Sequence, residues 1–120
     1  MSSIGAARAH VERLVAANIR ASVDSRNLNP PCVLFTPPAR IGLDLGCAGS
    51  AEMRALIVVP GPGTGQAWAQ LDTILGEIVA SDLLPVESVT ATEFDSADQT
   101  LLPAYELSWV EAVTIEGDTQ

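Results

Sequence analysis

Pro103-Ala-Tyr-Glu-Leu-Ser-Trp-Val-Glu-Ala-Val-Thr-Ile115 alternates with a period of two. Tyr105, Leu107 and Trp109 fall on one side, Glu106, Ser108 and Val110 on the other. Glu111 joins the first side if the alternation holds. This is the pattern of a half-buried strand. Just upstream, Val86 to Phe94 alternates as well, with Val86, Ser88, Thr90 and Thr92 opposed to Val89 and Ala91. The polar connection from Asp95 to Leu102 lets the two runs pair as an antiparallel hairpin. An antiparallel sheet needs its apolar face covered, and the rest of the chain supplies the cover.

Two helices are predicted. Ser2 or Ser3 caps the first, which runs to about Ala21 with Ile4, Ala7, Val11, Leu14, Val15, Asn18 and Ile19 at helical spacing. The second spans about Gln66 to Ser81, with Trp68, Leu71, Ile74, Leu75, Ile78 and Val79 as its buried face. Between them lie three predicted strands: Cys32–Thr36, Arg40–Gly46 and Met53–Val59, the last more uniformly apolar and central. Pro37-Pro38-Ala39 is read as a turn between the first two, which sets Cys32 opposite Asp44. Cys32 and Cys47 are then two buried free thiols. The order is α-β-β-β-α-β-β. The class is α+β, a mostly antiparallel sheet of about five strands packed with two helices, in one domain over 1–120 with 117–120 as a frayed tail.

Charge is distributed unevenly along this framework. Arg8, Arg13, Arg20, Arg26, Arg40 and Arg54 are the only basic side chains besides His10, against Glu12, Asp24, Asp44 and Glu52 in the same stretch. After Arg54 every charged residue is acidic, and the formal net charge is −9. Two surfaces of opposite sign suit a subunit whose copies meet head to tail. An acidic chain is a poor nucleic-acid binder, because neutralising phosphate needs Lys and Arg. Hydrophobic residues make up 48% of the chain and charged ones 18%, the balance of a folded domain and not of a disordered one. No apolar run approaches the roughly 18 residues of a membrane span, and residues 1–9 lack a secretion-signal layout.

Motifs for chemistry are weak. Gly61, Gly63 and Gly65 sit between a strand and a helix, where a phosphate loop would lie. Yet Gln66 replaces the third glycine of a dinucleotide fingerprint, Pro60 and Pro62 remove two N–H donors, and no cation follows. The loop reads as a turn with Thr64 capping the second helix. His10 reads as a surface or interface residue, with Arg13 and Leu14 beside it rather than a nucleophile. One His and two Cys make no metal set of usual spacing, and Glu93, Asp95 and Asp98 lack the calcium-loop pattern. No catalytic residue, cofactor or metal is expected, and the chain is not read as an enzyme.

The element order, closing on Leu102-Pro-Ala-Tyr-Glu-Leu-Ser-Trp-Val110, resembles the tail terminator proteins of long-tailed phages, those infecting actinobacteria in particular. The likeness covers about residues 4–115. It implies a virion protein forming a ring, commonly of six copies, at the head-proximal end of the tail tube and assembled in the host cytoplasm. The ring stops tube growth and joins the tail to the head connector, and DNA passes through its lumen without specific binding. Its partners would be copies of itself, the tube protein and the connector. The subunit interface expected from charge is Arg8, Arg13 and Arg20 against Glu93, Asp95 and Asp98 of a neighbour. The alternatives are another neck protein (head-closure or adaptor), a small ligand-binding regulatory domain using Gly61–Gly65, or a small hydrolase with an acidic pair.

Overall fold

A computed structural model describes residues 1–24, 26, 29–44, 46, 48–61, 65–95 and 101–115. Helix α1 is Ser3–Ala16, strand β1 Ala21–Ser22, β2 Cys32–Leu43, β3 Ala48–Val58, helix α2 Gly65–Ala80, β4 Ser88–Asp95 and β5 Leu101–Thr114. The sheet order is β1-β2-β3-β5-β4. All pairings are antiparallel except the short β1–β2 contact, Ala21 with Val33 and Ser22 with Leu34. The α+β architecture, the element order and the terminal hairpin follow the sequence reading.

The strand boundaries differ from it in an instructive way. Pro37-Pro38-Ala39 does not turn the chain. The predicted strands Cys32–Thr36 and Arg40–Gly46 are one strand, β2, whose register slips between Thr36 and Arg40. Thr36 faces Arg54 and Arg40 faces Glu52, so the three residues between them oppose Met53 alone. A proline cannot donate to a ladder, and a sheet's edge or a bulge tolerates it where a central strand does not. Arg54 braces this bulge, its Nε and Nη2 donating to the Pro37 carbonyl at 3.3 and 3.0 Å. The segment expected as a loop at 47–51 is mostly the start of β3, and Cys32 accordingly lies in register with Val58, not Asp44. Cys32 is buried, which pushes its thiol pKa up. Cys47 lies outside the described residues.

Both helices end in the same way. Ile19 N–H donates to Leu14 O and Asn18 N–H to Val15 O, with Asn18 left-handed at φ 65°. Leu83 repeats this on Ile78, and Asp82 on Val79, with φ 52° at Asp82. These are Schellman caps, and they stop α1 at Ala16 instead of Ala21. At the other end Ser2 Oγ accepts from Gly5 N–H at 3.1 Å, the expected N-cap.

The core lies between the helices and one face of the sheet. Ala6, Ala7 and Leu14 of α1 and Ala67, Leu71 and Ile78 of α2 pack on Val33, Phe35, Met53, Ala55, Ile57, Leu107 and Trp109. Each helix is rotated from its predicted face. Ile4 and Val15 of α1 are exposed while Ala6 and His10 are buried. Trp68 and Val79 of α2 are 65% and 59% exposed, while Ala67 is buried. Small alanines at the contact let a helix axis approach the sheet more closely than large side chains would. On the opposite face a smaller cluster of Cys32, Val58 and Ala104 is flanked by Leu56, Phe94 and Leu102.

Candidate functional site

The only buried polar side chain among the described residues is His10, 4% exposed. The surface placement expected for it is therefore corrected. Its ring stacks on Phe35, with centroids 6.1 Å apart and planes 8° apart, and meets Trp109 edge-on at 5.7 Å. Its Nε2 lies 2.9 Å from Glu111 Oε1, and its Nδ1 lies 2.6 Å from Arg13 Nη2. A guanidinium only donates, so Nδ1 accepts and Nε2–H donates to Glu111. Trp109 Nε1–H donates to the same Glu111 oxygen at 2.9 Å. Burial pushes the Glu111 carboxyl up, but the Trp109 and His10 donors and the nearby Arg13 charge outweigh it and hold the group below its ordinary value.

A His–Glu pair is half of a catalytic triad. Here the imidazole's second nitrogen is occupied by Arg13, one ring face stacks on Phe35, and Trp109 meets the ring at a right angle. No lone pair is left to take a proton from a nucleophile. The four residues act as a bolt fastening α1 to β5. Sequence proximity reveals only the Arg13–His10 half, three residues apart on one helix; Glu111 is 101 residues away.

Among the described residues no group of three His, Cys, Asp or Glu side chains is placed to hold a metal. No helix there is long and apolar enough to cross a membrane. Thr64 and Gly63, the heart of the glycine-rich loop, lie outside the described residues. Gly65 opens α2 and borders a groove instead.

The charged residues separate by position in the sheet. Arg8, Arg13 and Arg20 belong to α1 and its exit, beside β1 and β2. Arg8 and Arg20 are exposed, and Arg20 Nη1 donates to Asn29 O at 3.1 Å. Arg26 pairs with Asp24 Oδ2 at 3.1 Å, which lowers the Asp24 pKa, and both sit in the same linker. Glu93 and Asp95 lie on β4, the strand at the opposite margin, and both are exposed. Asp98 is outside the described residues. The α2–β4 side adds Asp72, Glu77, Asp82 and Glu87 and holds no cation. The expected interface acids and bases thus stand at opposite ends of the sheet and do not meet within one chain. Arg13 is committed to the core through its bond to His10, and Arg20 to the Asn29 carbonyl.

The α2–β4 side also exposes apolar side chains, Trp68, Val79 and Val89. Strand β4 is exposed on both faces from Ser88 to Glu93. Trp68, Leu71, Pro103 and Tyr105 line a groove of about 470 Å³ between α2 and the β4–β5 hairpin. Tyr105 Oη donates to Asp72 Oδ1 at 2.7 Å, a bond that raises the Tyr105 pKa.

No protein-family model matches the chain, and no curated protein resembles it at a significant level.

Proposed function

We propose that this chain is a structural subunit that assembles head to tail with copies of itself into a closed ring, of the kind that ends a phage tail tube and receives the head connector. The observation that carries the reading is the division of charge across the sheet: an arginine-bearing α1–β1–β2 margin and a purely acidic α2–β4 margin. Like margins repel and unlike margins attract, so the field orients each arriving copy. A contact between two different surfaces of one subunit is heterologous. It closes into a ring when the rotation per copy divides a full turn, and runs on as a filament when it does not. The buried, fully bonded His10 favours a structural role over catalysis, because it serves packing. In this reading the tube protein and the connector dock on the two rims, and the acidic surplus keeps DNA from adhering to the lumen.

Native mass spectrometry and negative-stain imaging of the purified chain test this directly. Closed oligomers that dissociate as salt rises are expected. Arg8→Glu with Arg20→Glu should abolish them, and mixing that variant with Glu93→Arg plus Asp95→Arg should restore assembly. A chain that stays monomeric at every concentration and salt level defeats the proposal.

A further inference from the structure

The bulge in β2 and the groove beside α2 are complementary, and they sit on opposite margins of the sheet. Strand β1 pairs only with Val33 and Leu34, so β2 from Phe35 onward has a free outer edge among the described residues. Pro37 and Pro38 interrupt that edge. They lack N–H groups, so side chains, not a backbone ladder, are what this stretch offers a neighbour. Pro37 and Ala39 are exposed, Pro38 half-buried, and the Arg54 clamp on the Pro37 carbonyl presents them in one conformation. Arg40 follows, its side chain 76% exposed and only 3.9 Å from Glu52 Oε2.

The groove has the matching chemistry. Trp68, Tyr105 and Pro103 give it aromatic and apolar walls, and Asp72 and Glu93 supply negative charge beside it. Paired aromatics of this kind receive proline rings, whose fixed backbone loses little entropy on docking. The Tyr105–Asp72 hydrogen bond fixes one wall of the groove before anything arrives, and Trp68, 65% exposed beside it, is the residue type that most often anchors an interface.

Resting on the head-to-tail reading above, we infer that the Pro37–Pro38 bulge of one copy docks in the Trp68–Tyr105 groove of the next, with Arg40 meeting Asp72 and Glu93 across the seam. Opposite margins prevent the contact from forming within one chain. The charge match names the occupant: Arg40, with its side chain 76% exposed, follows the Pro37–Pro38 step closely in sequence, and the groove's flank is acidic.

The test uses two variants. Trp68→Ala ruins the groove and keeps the bulge; Pro37→Ser with Pro38→Ser ruins the bulge and keeps the groove. Each alone should weaken self-association about 30-fold or more, the effect of losing an interface anchor. Mixed in equal amounts they should form a 1:1 dimer that grows no further, because one intact bulge and one intact groove remain. Emission adds a second readout: the chain has two tryptophans, Trp109 buried and Trp68 exposed, so assembly should shift the Trp68 component to the blue. If the double serine variant does not fold, a peptide of residues 35–42 titrated onto dilute wild-type chain should give the same shift. Wild-type oligomers that persist unchanged in Trp68→Ala overturn this inference and leave the proposed function standing. A folded pair that never forms the mixed dimer overturns it equally. A peptide that binds while the wild type stays monomeric assigns the groove to a proline-rich segment of another protein, and overturns self-docking.

Discussion

The α1 half and the α2 half of this domain cover the same sheet face by different means. Helix α1 is fastened by a polar bolt: Arg13, His10, Glu111 and Trp109 satisfy one another beneath Phe35. Helix α2 rests on alanine, leucine and isoleucine contacts and turns Trp68 and Val79 outward. A fully satisfied polar network specifies one docking geometry, whereas an apolar contact mainly supplies burial. The contrast separates side chains that serve the fold from those free to serve an encounter.

Substitutions can break this contrast. The largest effect is expected at Trp109, 1% exposed and bonded to Glu111: Trp109→Ala should cost about 3–5 kcal/mol in denaturant unfolding. Glu111→Ala comes next. It strands the N–H groups of Trp109 and His10, for a loss of about 1–3 kcal/mol. The same residue gives a pH signature. Its carboxyl titrates lower in the folded chain than its ordinary value of 4.5. The folded state therefore binds this proton less readily, and the stabilisation is complete above that value and drains away as pH falls through the lowered one. Glu111→Gln keeps an acceptor and loses the charge, so its acid unfolding profile should be flatter than wild type; identical profiles would sink the assignment. The smallest effect belongs to the α2 side: Trp68→Ala should move monomer stability by no more than about 0.5 kcal/mol. A drop comparable to that of Trp109→Ala would show that Trp68 holds the fold together, and the contrast would collapse.

The sequence made some of this legible. The alternation of Pro103–Ile115 placed Tyr105, Leu107, Trp109 and Glu111 on one face, and Ser2 announced the first helix. Periods and caps are local, and a chain displays them without its partners. The helix faces were only approximately readable, because apolar stripes wider than the contact leave the rotation to packing: Trp68 and Val79 satisfy helical spacing yet stand outside. Pro37-Pro38 was ambiguous in principle, since the same lack of N–H groups marks a turn or an edge bulge. The role of His10 was hidden because its carboxylate lies on the last strand. The division of charge was visible as a list; its arrangement on two opposite margins needed the strand order, which places β4 outside β5 instead of next to β3.

The braced prolines have one more consequence. A free sheet edge invites any extended polypeptide to zip onto it, and crowded or newly made chains aggregate by that route. Two adjacent residues without donors, set where β2 would otherwise be open, spoil the template for amyloid-like stacking. That stretch of the β2 flank is thereby poorly suited to indiscriminate strand recruitment.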